Sequence, residues 1–380
     1  MTKVKIIINK ENNYNNIYVY EDNVLVERYT EDINSKRLEG NIYLGKVSKV
    51  MSGLQAAFVD IGHEKNGLIH LKDIIPKVSM ITGNENIDIS NYSINDCINA
   101  GDKIIVQVKR DSADLKGAKL TKDIKLISKY VVLMPYTKFY TISKKIVNQD
   151  EKNRLLSIAK EKIDKIDNMG IIIRTSAENQ DDLKIKEDIE YLLKLWKEIN
   201  NKANSVELPT ELLDYNGLVG KLITDFGPFD PEIETNSVEI KNQILKNYNI
   251  QKVVVKENIL DEKIDSKIWL KCGGFIKIDE TEALIAIDVN SGKYNGKRDV
   301  EETFFNVNKE AAIEIAKQLR LRDLGGIIVI DFIDMDNDED REKIRQIFME
   351  ETKKDRSKVQ VLEFTKLGLL ELTRKQIFNK

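Results

Sequence analysis

ALIAIDVNSGKYNGKRDVEETFFNVNKEAAIEIAKQLRLRDLGGIIVID, residues 283–331, contains two apolar runs that each end in a carboxylate. ALIAIDVNSG (283–292) holds Asp288 and Asn290, and GIIVIDFID (326–334) holds Asp331. Each run is rich in Ile, Val and Ala, is too short for a helix of ordinary length, and is bounded by Gly or polar residues. Each therefore reads as a buried strand. Between them, residues 300–321 place Phe304, Val307, Ala311, Ile315 and Leu319 at three- and four-residue steps, one apolar stripe on a helix stopped by Gly325 and Gly326. Strand, helix, strand in this order makes a right-handed crossover with parallel strands.

Parallel strands deliver their carboxyl ends to one edge, the usual place for a site in an open α/β sheet, so Asp288 and Asp331 are expected to lie close together. Alternation along an extended strand puts Asp288 and Asn290 on one face. Two carboxylates and an amide oxygen are hard ligands that suit Mg²⁺ or Mn²⁺ with several waters retained. Spacing alone leaves a second reading open, in which Asp288 begins a turn and Asp331 caps something local.

The 380 residues are enough for two to four domains with sizeable cores. No uninterrupted apolar stretch approaches a membrane span, and the start, MTKVKIIINKENN, lacks a signal-peptide core, which predicts a cytoplasmic protein. Cys97 and Cys272 are far apart, so neither a disulfide framework nor a one-chain zinc site is expected. A net charge of −3 argues against indiscriminate nucleic-acid binding, but local basic clusters can still line a phosphate groove. The two histidines, His63 and His70, lie far in sequence from the aspartates, so phosphodiester cleavage here would use metal-activated water rather than a histidine pair.

Upstream, 3–8, 17–21 and 24–29 read as three short strands that need a partner from later in the chain. From Glu39, five short strands with Gly-marked turns suggest a closed barrel. In the second of these, Phe58 shares a face with Asp60, which fits either an exposed ring on which a base stacks or a ring covered by a neighbouring domain. Lys46, Lys49, Lys103, Lys109 and Arg110 supply charge around the barrel, and an Asn-rich insertion at 77–99 reads as a loop. Residues 122–204 read as an α/β segment. Its strand GIIIRTS ends in Arg174, Thr175 and Ser176 before a helix, which fits a terminal-phosphate site or an ordinary helix cap. Residues 230–250 read as one acidic-capped helix, 336–355 as a helix with an acidic first turn, and 368–380 as a short helix carrying Arg374 and Lys375.

The motifs LKCGGFIKIDETEALIAIDVNSGK (270–293), AAIEIAKQLRLRDLGGIIVIDFIDM (311–335) and FTKLGLLELTRK (364–375) resemble the bacterial ribonuclease E/G family. The resemblance extends through GNIYLGKVSKVMSGLQAAFVDIGHEKNGLIHLKDI (40–74), KGAKLT (116–121), GIIIRTS (170–176) and LITDFGPFD (222–230), so it covers nearly the whole chain. It implies an α/β multidomain fold: a split ribonuclease-H-like domain (1–38 and 205–268), an inserted OB-fold RNA-binding barrel (39–121), a 5′-monophosphate sensor (122–204) and a deoxyribonuclease I-like catalytic domain (269–380). It further implies a Mg²⁺-dependent endoribonuclease that cleaves single-stranded RNA, with Mn²⁺ as a substitute, in ribosomal RNA maturation and messenger decay.

Carried over position by position, the metal-binding aspartates fall on Asp288 and Asp331, and the catalytic asparagine on Asn290. The sensor's Arg-Thr pair falls on Arg174 and Thr175, with Gly117 in the sensor loop. The RNA-contacting aromatic falls on Phe58, with Lys109 and Arg110 as basic neighbours, while a second family aromatic position holds Leu68. The family's Cys-Pro-x-Cys element, which shares zinc between two subunits, does not occur in these 380 residues. No zinc is therefore expected, and a monomer, a weaker homodimer and reduced activity all stay open. The rival reading is an RNA-binding protein that cleaves weakly or not at all.

Overall fold

A computed structural model describes the chain apart from residues 1, 35–36, 76–91, 112–116, 165, 167–168, 216, 251, 257–264, 293–299 and 379–380. It divides into two compact units, residues 32–255 and residues 2–31 with 256–380. No helix among the described residues is long and apolar enough to cross a membrane.

In the first unit, Ile42–Met51, Ala56–Asp60, Gly67–His70, Lys119–Thr121 and Lys103–Arg110 are hydrogen-bonded in that order, and Ile42–Met51 also pairs with Lys103–Arg110. The second pairing closes the barrel expected from the sequence. Closure requires the long first strand to bend sharply, and at Gly45 a Cβ would stand 2.6 Å from the Val59 side chain. The interior is filled by Tyr43, Val47, Ala57, Val59, Ile69, Val106 and Leu120. The expected loop at 77–99 lies partly outside the described residues; from Ser93 onward it is a helical turn, Ile94–Cys97. Ser93 and Asp96 form its capping box, and Ile94 and Ile98 bury their side chains. The high Asn and Ser content hid this turn because the same residues serve caps and loops alike.

The adjoining α/β segment has a four-stranded sheet in the order Tyr140–Ile142, Gly170–Ile173, Val131–Met134, Leu126–Ile127. Helices Gln149–Ile163 and Asp182–Ser205, capped by Asn148 and Asp181, pack Leu155, Ile158, Ile189 and Leu192 into the same core as Leu133 and Ile171. The single helix expected over 230–250 is corrected: Glu232–Thr235 is a strand parallel to Val253–Val255, and the helix begins only at Val238–Asn247, capped by Ser237. Ile233, Glu234 and Thr235 are all buried, so the strand is covered on both faces, and the acidic residues hid it by breaking the apolar run that marks a buried strand. Helix Gly217–Phe226 and strand Thr210–Leu213 were not separated in the sequence reading.

In the second unit, strands Val4–Glu11 and Tyr14–Glu21 form an antiparallel pair, followed by Val24–Asp32. The main sheet has six strands in the order Lys267–Trp269, Phe275–Glu280, Ile285–Asn290, Gly326–Asp331, Leu369–Arg374, Val359–Phe364. Ile285–Asn290 and Gly326–Asp331 are parallel, joined by helix Val300–Leu321 as expected, and helix Asp338–Thr352 follows. Val307, Ala311, Ile315, Leu319 and Phe348 pack against Ile276, Ile287 and Ile328 on one sheet face. The short helix expected at the end is instead strand Leu369–Arg374, with Leu370, Leu372 and Arg374 buried at alternate positions. The Arg374 guanidinium is consumed internally by Asp323, Asp355 and the Leu324 carbonyl. A charged residue at an inward position broke the apolar alternation that would have marked the strand.

Candidate functional site

The parallel pairing sets Asp288 directly opposite Asp331. Ile285, Ile287 and Val289 turn into the core, which leaves Asp288 exposed and Asn290 half-buried on the other face. Asn290 Nδ2 donates to Asp288 Oδ2 at 2.6 Å, so the two side chains do share a face. Burial, then the negative charges of Asp288 and Asp334, push the Asp331 carboxyl above its ordinary value. Like charges gathered at one edge are stabilised by a cation. A pair of carboxylates with an amide suits Mg²⁺, which keeps most of its waters and binds through one or two carboxylates together with substrate phosphate. Among the described residues no group of three or more His, Cys, Asp or Glu forms a complete protein-only metal cage.

Two residues of the crossover helix, missed by the sequence reading, anchor the loops beside this edge. Buried Asn308 donates from Nδ2 to the Ile333 carbonyl at 2.7 Å and accepts the Ile333 amide at 3.0 Å, fixing the chain just after Asp331. The Glu310 carboxylate accepts the Lys271 and Cys272 amides in the turn before Phe275. That turn packs on the end of the Asp288 strand: Gly292 has φ +61°, and a Cβ there would lie 2.4 Å from the Gly273 carbonyl. The available signal was Asn308 itself, a polar residue next to the apolar stripe.

On the barrel, register partners form one row across all five strands: Lys49, Phe58, Leu68, Lys119 and Arg110. All five side chains are exposed or half-buried, so the row runs round the outside of the barrel, with Phe58 and Leu68 between Lys49 and Lys119. Phe58 has Lys49 and Leu68 as its register neighbours, and Arg110 lies three strands further along the row. Lys109 does not join the row, because the strand bulges between Val108 and Arg110 and the Lys109 ammonium binds Asp73 at 2.6 Å.

Arg174 Nη1 donates to the Ser128 carbonyl at 2.6 Å and the Thr224 carbonyl at 3.2 Å, and Ser176 Oγ donates to the Lys129 carbonyl at 2.7 Å. Burial depresses the Arg174 pKa, offset in part by Asp225 and Asp188. Thr175 is exposed, with its hydroxyl 2.6 Å from the Ser143 hydroxyl. The turn facing Arg174 is thus residues 128–130, whereas Gly117 lies in the barrel, packed so tightly on Asn66 that a Cβ would sit 1.9 Å from its carbonyl. The 128–130 turn is itself held by Asp188, 1% exposed, which accepts the Ser128 hydroxyl and the Tyr130 amide at 2.8 Å. Burial pushes the Asp188 carboxyl up, against those hydrogen bonds.

A closed five-stranded barrel and a carboxylate pair at a parallel sheet edge define a multidomain α/β protein with an S1-type module. The S1 RNA binding domain model matches residues 37–122, and the Ribonuclease E/G family model matches residues 125–249 and 229–377. Ribonuclease G of Haemophilus influenzae is 34% identical over 399 residues, spanning 99% of this chain and 80% of its own length. Ribonuclease G of Escherichia coli K12 is 33% identical over 393 residues, with 98% and 80% covered, and ribonuclease E of a Nostoc species is 35% identical over 360 residues, with 89% and 51% covered. The chain belongs to the ribonuclease E/G family.

Proposed function

We propose that this endoribonuclease cuts single-stranded RNA at the Asp288–Asp331 edge in a Mg²⁺-dependent reaction. The observation that carries the reading is the in-register carboxylate pair with Asn290 bonded to Asp288. Asp288 and Asp331 would hold the metal, which when bound supplies an activated water and charge stabilisation at the phosphate. Asn290 orients the phosphate or the attacking water through its amide. Displacement of the 3′ oxygen leaves a 5′ phosphate and a 3′ hydroxyl.

The barrel row holds the strand, with Phe58 and Leu68 against bases and Lys49, Lys119 and Arg110 against phosphates. Arg174 and Thr175 receive a 5′ monophosphate, which directs the enzyme to already processed RNA in the cytoplasm, in ribosomal RNA maturation and messenger turnover. The relatives' names support the ribonuclease class, and the barrel's match to an RNA-binding model supports the substrate.

The test is cleavage of a short single-stranded RNA with Mg²⁺, comparing 5′-monophosphate and 5′-hydroxyl ends, by the intact chain, Asp288→Ala and Asp331→Ala. Monophosphate-favoured cleavage that both substitutions abolish is the expected result. Binding without cleavage by the intact chain would overturn it.

A further inference from the structure

We propose that Trp269, Phe275 and Lys267 form a stacking platform for a base of the RNA close to the bond that is cut. The proposal rests on the ribonuclease reading above. On the sheet face that carries Asp288, two rows of register partners run side by side. One is Lys267, Lys277, Asp288 and Asp331; the other is Trp269, Phe275 and Asn290. Side chains of register partners on one face stand roughly 5 Å apart. The aromatic row therefore begins beside Asn290 and ends two strands away, at Trp269.

The Trp269 ring is exposed, the Phe275 ring is half-buried, and the two are in contact. Trp269 is 60% exposed, its ring centroid lies 5.3 Å from that of Phe275, and the planes are inclined at 59°. Lys267 Nζ sits 3.7 Å from the Phe275 centroid and 4.4 Å from the Trp269 centroid. Glu310 fixes the turn that joins the two strands through the Lys271 and Cys272 amides, so the platform rests on the same helix that positions the candidate active edge.

The chemistry selects the occupant. A large indole left in water, with an ammonium against it, suits a ligand that presents a flat apolar face beside a negative charge, as each nucleotide of an unpaired strand does. Lys277 stands between Lys267 and Asp288 in the row, its charge paired with Asp279 at 2.8 Å, so Lys267 is the cation that meets the ligand at the rings. An apolar peptide would gain nothing from Lys267. A phosphodiester chain lying along the two rows meets Lys267 first and Asp288, Asn290 and Asp331 at the end.

Of the two tryptophans in the chain, Trp196 is 7% exposed, so Trp269 alone is open to solvent. Titrating the full chain with a short single-stranded RNA in EDTA, which suppresses cleavage, should quench tryptophan emission and shield it from acrylamide. Trp269→Phe should remove that response. In steady state, Trp269→Ala and Phe275→Ser should each lower kcat/KM on 5′-hydroxyl RNA by roughly tenfold, and leave the ratio of 5′-monophosphate to 5′-hydroxyl cleavage unchanged. Emission indifferent to RNA, together with unchanged kcat/KM in both variants, overturns the platform. Emission that shifts with protein concentration in the absence of RNA assigns the face to a second copy of the chain and also overturns it. If the intact chain cleaves no RNA, the ribonuclease reading falls, and the fluorescence titration still decides the platform.

Discussion

Asp288 and Asp331 are register partners on neighbouring parallel strands, and Asn290 donates to Asp288 at 2.6 Å from the same face. Replacing either carboxylate by Asn should lower kcat on the order of 10²–10³-fold, the scale on which lost electrostatic stabilisation of a transition state is felt. Chelation of the metal should do the same to the intact chain. Both carboxylates are exposed and repel each other, so the melting temperature of Asp331→Asn should equal or exceed that of the parent. A fall in both activity and melting temperature would assign Asp331 a structural role instead.

Arg174 donates to the Ser128 carbonyl in the turn 128–130, and Asp188 accepts the Ser128 hydroxyl and the Tyr130 amide of the same turn. Arg174→Ala and Thr175→Val should each reduce the preference for a 5′-monophosphate end on the order of tenfold, in line with the strength of hydrogen bonds to charged groups. Asp188→Asn presents a donor where the turn needs acceptors, so it should weaken the same preference with Arg174 still in place. Competition cleavage of the two RNA ends in one reaction reads this ratio directly.

For the barrel row, Phe58→Ala should weaken single-stranded RNA binding roughly tenfold, with little dependence on sequence. Arg110→Ala should reduce the slope of log affinity against log salt by about one. Lys109→Ala should leave that slope unchanged, because Lys109 is paired with Asp73. Filter binding across a salt series separates the three.

Glu27 is fully buried and accepts from Arg320, Arg356 and the Tyr29 hydroxyl. Burial raises its pKa, but the charge and hydrogen bond of Arg356, then the charge of Arg320 and the hydrogen bond from Tyr29, outweigh it and hold the carboxyl below its ordinary value of 4.5. The folded chain therefore binds fewer protons at this site than the unfolded chain. The stabilisation is fully present above pH 4.5 and is lost as pH falls through the depressed folded value. Urea midpoints measured against pH should show Glu27→Gln less stable than the parent at pH 7 and with a shallower decline in acid.

Arg374 is 2% exposed between Asp323 and Asp355. Arg374→Ala strands two buried carboxylates and should cost about 3–5 kcal/mol of stability. Arg341→Ala breaks only a surface pair with Asp338 and should cost at most about 0.5 kcal/mol. Equal urea midpoints for the two variants would contradict the buried triad.

The amino-acid sequence by itself determined the central crossover. Two short apolar runs bounded by Gly or polar residues, a helical stripe and two glycines specify strand, helix and strand from near neighbours alone, and the crossover between parallel strands then sends Asp288 and Asp331 to one edge. It likewise determined the five barrel strands, whose turns are marked locally. Long-range register was decided only by the tertiary structure, because the residue that stands opposite another depends on strand order and bulges, not on local period. That is why the row from Lys49 to Arg110, the exclusion of Lys109, the clamps at Asn308 and Glu310, and the alignment of Trp269 and Phe275 with Asn290 were not legible in the chain. The terminal strand escaped for a related reason: an inward arginine is stable only with Asp323 and Asp355 beside it, and these lie 51 and 19 residues away in sequence.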